Sequence, residues 1–180
     1  AGNESILKSS AALVACALCV CMGATHALET QDVVASKVSI TWEKPAGYTD
    51  LMNNQHQNPH LKLKKLDKIW QVTAKQLPDN YHLKVIVHDV DLAGDYRNST
   101  IDARYYSDVY YPKMNISYQV YDQSGKLVLA ADNISIEDKA FLSRSTFKAR
   151  SVEYYFEQKM LQDWMNAAVV KQLSGFNANS

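Results

Sequence analysis

The stretch from Tyr81 to Leu92 constrains this chain more than any other. Leu83, Val85 and Val87 alternate with Lys84, Ile86 and His88. Side chains of a strand point alternately to opposite faces. The spacing therefore predicts a strand with one apolar face, and such a face needs a second layer to cover it.

Two segments have the pattern of that layer. From Leu61 to Leu77, Leu63, Leu66, Trp70, Thr73 and Leu77 recur every three or four residues, and Pro78-Asp79-Asn80 ends the run. From Ser151 to Leu173, Tyr154, Leu161, Trp164, Met165 and Ala168 do the same. Both predict helices with one apolar stripe. Ser151 is the expected N-cap of the second, and Gly175 its expected stop.

The remaining signals are strands and loops. Val38 to Trp42 alternates and is β-branched, so it predicts a strand. Lys44 to His60 holds two prolines, Gly47 and an Asn/Gln/His cluster, and predicts a long loop. Asn115–Tyr121, Asp122-Gln123-Ser124-Gly125 and Lys126–Ile136 predict a hairpin. The order is β-α-β-β-β-α. The fold class expected is α+β, a single domain with a mostly antiparallel sheet and its two main helices on one face.

The first residues have a different character. Lys8 is followed by an apolar run from Ala11 to Met22 and then by Thr25-His26-Ala27. A basic residue, a short apolar run and a small-x-small exit describe a secretory signal. Residues 1–27 are the expected signal peptide. Residues 28–180 are the expected single domain, with 28–35 as a lead-in. The alternative exit is lipidation at Cys16, which Leu13-Val14-Ala15-Cys16 resembles.

All three cysteines, Cys16, Cys19 and Cys21, lie in the apolar run. Residues 28–180 then offer no disulfide and no thiolate nucleophile. Lysine plus arginine and aspartate plus glutamate both number 19. Removing residues 1–27 takes away Lys8 and Glu4 alone, so the balance holds. A neutral domain lacks the basic excess of nucleic-acid binding.

Four stretches carry a family resemblance: Asp89-Val90-Asp91-Leu92-Ala93-Gly94-Asp95, Asp108-Val109-Tyr110-Tyr111-Pro112-Lys113-Met114, Ser117-Tyr118-Gln119-Val120, and Tyr155 to Trp164. In order and spacing the chain resembles the bacterial exported proteins of the domain of unknown function 3016 family. Pro45-Ala46-Gly47-Tyr48-Thr49-Asp50 is similar to that family's start. The resemblance implies a single domain in the periplasm of a Gram-negative bacterium. It brings no activity and no catalytic residues.

Among the residues themselves, the charges after the central strand are the candidate site. Asp89 and Asp91 share a strand face, and Asp95, Arg97, Asp102, Arg104 and Asp108 follow. Such a set is able to form an internal ion-pair network, hold a ligand, or use paired carboxylates for divalent-metal or hydrolytic chemistry. No cofactor motif, nucleophile elbow or phosphate loop occurs, and the histidines lack zinc-ligand spacing. The expectation is a non-catalytic binding or envelope-accessory module with a protein or small-molecule partner. The alternatives are a hydrolase at Asp89 and Asp91, and membrane-surface contact through Lys62, Lys64, Lys65, Lys68 and Lys75 of the first helix.

Overall fold

β1 (Val38–Trp42), β2 (Tyr81–Asp91), β3 (Lys113–Asp122) and β4 (Leu127–Glu137) form one sheet in sequence order. β1 lies parallel to β2, whereas β2–β3 and β3–β4 are antiparallel. A parallel step requires a crossover, and α1 (Pro59–Ala74) supplies it. The computed structural model describes residues 36–51, 58–96 and 104–178, all within the unit Ala35–Ser180.

One face of the sheet is buried and the other is open. Leu83, Val85 and Val87 of β2 and Met114, Ile116, Tyr118 and Val120 of β3 are buried. Leu66, Ile69, Trp70 and Ala74 of α1 cover them, together with Met160 and Leu161 of α3 (Tyr155–Trp164). Trp164 meets Trp70 at 6.0 Å and Tyr118 at 5.2 Å, edge-on in both cases. That geometry favours aromatic pairs, and it ties both helices to the sheet. On the opposite face Ser39, Thr41, Lys84, Ile86 and Gln119 are exposed. The α+β class, the element order and the one-sided helices are as the pattern predicts.

The boundaries differ in instructive ways. α1 starts at Pro59, inside the expected loop, because Asn58 Oδ1 accepts the His60 N–H at 2.9 Å and caps it. The loop therefore shortens. It begins with a single 3-10 turn, Pro45–Gly47, and residues 52–57 lie outside the described residues.

The last helix is broken. Ser151 closes a short helix, α2 (Phe147–Ser151), instead of capping a long one. Tyr154 then takes the left-handed conformation at φ 57°, and α3 starts after it. A π turn, Met165–Val170, joins α3 to α4 (Lys171–Ala178). The spacing of the buried stripe gives the physical reason. Leu161, Met165, Val169 and Leu173 are buried at intervals of four. On an ideal α-helix that spacing drifts by about 40° per step, and a wider π turn absorbs the drift. Gly175 does not stop the helix, since Gly94 and Gly125 are the positive-φ glycines among the described residues.

A second, smaller core sits beside the first. Ala93, Phe141, Ala149 and Phe156 are buried together, and Tyr106 packs on them. Phe156 lies edge-on to Phe141 at 4.9 Å and to Tyr106 at 5.3 Å. The turn at Tyr154 sets the start of α3, which carries Phe156 into this cluster.

Candidate functional site

β2 ends at Asp91, and the chain turns sharply through Leu92, Ala93 and Gly94. Gly94 has φ +78°, and an added Cβ would lie 2.9 Å from Tyr106 Cδ1. Only glycine fits both the angle and the contact. The turn aims consecutive carbonyls at Arg104. Its Nη1 donates to Leu92 O at 3.3 Å, Ala93 O at 2.8 Å and Gly94 O at 2.7 Å. Its Nη2 donates to the Asp50 carboxylate, and the Tyr96 ring lies 4.6 Å from the guanidinium carbon.

Asp50 arrives from the other side of the sheet edge. Tyr48 Oη donates to Val87 O at 2.6 Å, and the Asp50 N–H donates to Val90 O at 3.0 Å. These bonds fold the segment after β1 back onto β2. Behind it Lys62 is 2% exposed, and its Nζ donates to Leu51 O at 3.1 Å. Glu157, 3% exposed, comes from the first turn of α3 and accepts the Ala93 N–H at 2.7 Å.

Burial governs the protonation of this cluster. It pushes the Glu157 carboxyl above its ordinary range, against the pull of the Ala93 N–H and Arg104. Burial likewise raises Asp91, helped by the neighbouring Asp50 charge. It raises Asp50 more than Arg104 lowers it. For Arg104 burial opposes the charge, but Asp50 and Tyr96 outweigh it and hold the guanidinium above its usual range. Arg104 therefore stays charged, and Asp50 is its partner.

A cavity of about 300 Å³ opens against this cluster, lined by Ala93, Tyr96, Arg104, Tyr106, Glu153, Tyr154 and Glu157. The Tyr154 hydroxyl is raised by its burial and by the Glu153 and Glu157 charges. Three phenols thus border a guanidinium and two carboxylates. A wider cleft of about 450 Å³ beside Lys37 and Asp79 has no buried carboxylate, lysine or arginine among its lining residues, so it is a poorer candidate.

The predicted site residues divide. Asp91, Asp95 and Arg104 fall at this end of the sheet. Asp91 stands opposite Lys113 across the ladder. Asp95 bridges to Tyr105 and accepts the Tyr96 N–H at 2.8 Å. Asp89 is occupied: it accepts the Thr49 N–H and the Thr49 hydroxyl, each at 2.7 Å. Asp108 is exposed beside the Ser107 hydroxyl. Arg97 and Asp102 lie outside the described residues. Arg104 pairs with Asp50 rather than with Asp89 or Asp91. Among the described residues no three His, Cys, Asp or Glu side chains gather to hold a metal ion.

Residues 36–167 match the model of a family described as a protein of unknown function, DUF3016. The chain belongs to that family. No curated protein and no solved structure matches it. The stretch that matches the DUF3016 model contains every residue of the site, from Asp50 to Glu157.

Asp50, Lys62 and Glu157 were not among the site residues expected from the sequence. Their signal is a charge on an apolar stripe. Glu157 lies between Tyr154 and Leu161 at helical spacing, and Lys62 lies one turn before Leu66. A charged residue at such a position is buried at a cost unless it is paired. The first helix also presents fewer free lysines than its count suggests. Lys62 is buried, and Lys65 Nζ lies 2.6 Å from Glu153.

Proposed function

We propose that this DUF3016 protein is an exported binding module of the cell envelope, and that the cavity beside Arg104 and Glu157 holds its ligand. The observation that carries this reading is the state of the charges. Arg104 spends its donors on Asp50 and three carbonyls, and Asp89 is taken by Thr49. Carboxylates so engaged are poor general bases and poor metal ligands. What faces the cavity is a preorganised rim of phenols and acids, suited to orienting a small molecule or one side chain of a partner.

Export rests on the N-terminal pattern of Lys8, the Ala11–Met22 run and Thr25-His26-Ala27. The membrane-surface reading rests on Lys64 and Lys68, exposed on α1, and on Lys75, exposed just after it. The hydrolase reading at Asp89 and Asp91 has the weaker support, because Asp89 is engaged by Thr49 and, among the described residues, Asp91 alone of the pair has no hydrogen-bond donor.

The test is photo-crosslinking in intact cells. A benzophenone amino acid replaces Glu153, at the cavity rim, or Leu127, on β4. The binding reading expects one discrete adduct from position 153 and none from 127. Identical background at both positions overturns it.

A further inference from the structure

The open face of the sheet carries a row of three side chains, one from each of three neighbouring strands or strand ends. Glu43 follows β1 directly and is held against β2 by its N–H, which donates to Val87 O at 3.0 Å. Glu43 Oε2 lies 2.5 Å from His88 Nδ1, and His88 Nε2 lies 2.7 Å from Ser117 Oγ. An ionised carboxylate only accepts hydrogen bonds. Nδ1 therefore carries a ring proton, and in the neutral imidazole Nε2 is the nitrogen that accepts from the Ser117 hydroxyl. Ser117 Oγ in turn accepts the Asn133 N–H at 2.9 Å.

The backbone is irregular where this row crosses it. The β2–β3 register shifts between Val87 and Asp89, at His88. The β3–β4 register shifts between Ile116 and Tyr118, at Ser117. Opposite Ser117, Asn133 takes a left-handed φ of 48°. Bulges re-aim side chains, and asparagine is among the non-glycine residues that take the left-handed conformation such a bulge uses. Two bulges and one such residue converge on a single hydroxyl. A cleft of about 210 Å³ adjoins it, lined by Ser39, Thr41, Lys84, Ile86, Gln119 and Asp132 besides Ser117.

We propose that Glu43, His88 and Ser117 form a serine-hydrolase centre that cleaves short-chain acyl esters. The geometry has the required roles: a nucleophile bonded to a base, and the base oriented by a carboxylate. Ser117 Oγ attacks the acyl carbonyl carbon as its proton passes to His88 Nε2, and the carbonyl electron pair moves onto oxygen. Collapse expels the alcohol, which takes that proton from His88 and leaves the acyl group on Ser117. Water then attacks the acyl-serine with His88 as base. The products are a carboxylic acid and the restored serine. Glu43 fixes the imidazole tautomer and stabilises the imidazolium. The Asn133 N–H is spent on Oγ itself, so the donor left for the developing oxyanion is the Lys84 side chain, which lines the same cleft and rests its Nζ 4.8 Å from the Tyr121 ring centre.

The cleft is smaller than the roughly 300–1,000 Å³ usual for ligand pockets, which selects a short acyl group. Glu43 and His88 are 50% and 28% exposed, so water reaches the acyl-serine. This activity goes beyond the binding reading and shares no residue with the Arg104 cavity.

The test treats the full chain with a fluorophosphonate probe and, separately, with p-nitrophenyl acetate. We expect one label, mapped to Ser117. Ser117→Ala and His88→Gln should each lower kcat/KM by about 10³-fold or more, with the double variant no slower than either single one. Glu43→Gln, at an exposed position, should lower it by about 10²-fold or more with an unchanged melting curve. No label on the wild-type chain, a label elsewhere, or less than about a tenfold loss in both Ser117→Ala and Glu43→Gln overturns the proposal.

Discussion

Replacing Arg104 by methionine removes the cation at the centre of the acidic end and keeps much of its apolar bulk. The Arg104 and Asp50 side chains are 12% and 10% exposed. The change leaves the Asp50 carboxylate buried without its partner and strips a donor from the carbonyls of Leu92, Ala93 and Gly94. Breaking one side of a buried pair costs about 3–5 kcal/mol. The buried Lys62 charge, which also favours ionised Asp50, places the loss near the lower end. A domain of this size is stable by about 5–15 kcal/mol, so a fifth to more than half of the margin disappears. Urea unfolding followed by circular dichroism gives the number. Because the cost is that of an orphaned charge, Asp50→Leu combined with Arg104→Met should be milder than Arg104→Met alone. A single-variant loss under about 1 kcal/mol, or strictly additive losses in the cycle, would refute the reasoning.

Other outcomes follow from particular contacts. Gly94→Ala should lose at least about 1–2 kcal/mol from the left-handed angle alone, and more from the Tyr106 contact, whereas Gly47→Ala, with nothing within 4 Å, should not; paired thermal melts compare them. Burial holds Glu157 and Asp91 above the ordinary carboxyl range, so between about pH 4 and their raised values the native chain holds protons that the unfolded chain has released. Stability should accordingly rise as pH falls from neutral toward about 4, and Glu157→Gln should flatten that slope in urea titrations at several pH values. An unchanged slope contradicts the assignment of Glu157. Osmotic shock of cells making the full chain should release a protein whose N-terminus is Leu28; recovery in the membrane fraction, bearing lipid on Cys16, would show the other exit.

The sheet was legible because its signal is local and one-sided. Alternation at Leu83, Val85 and Val87 states both the strand and its buried face, and the order of elements then leaves few ways to cover it. The break before α3 was not legible. Nothing about tyrosine marks Tyr154 for a left-handed turn, and the cause is tertiary: Phe156 must enter the second core while Leu161 and Met165 stay in the first. The charges at the end of β2 were legible as a cluster, but their pairing was not. Asp50 lies 54 residues from Arg104, and no local pattern relates them. The same holds for Glu43, His88 and Ser117, which are 45 and 29 residues apart and are aligned by bulges that alternation alone does not announce.

The central claim is that the cavity beside Arg104 and Glu157 is occupied in the cell. Native mass spectrometry of the full chain, recovered from the envelope under non-denaturing conditions, tests it most directly. The account predicts a discrete added mass on the wild-type chain that is lost in a folded Tyr154→Phe, Glu157→Gln variant. The bare mass of the chain in both preparations, or the same adduct on both, would contradict it.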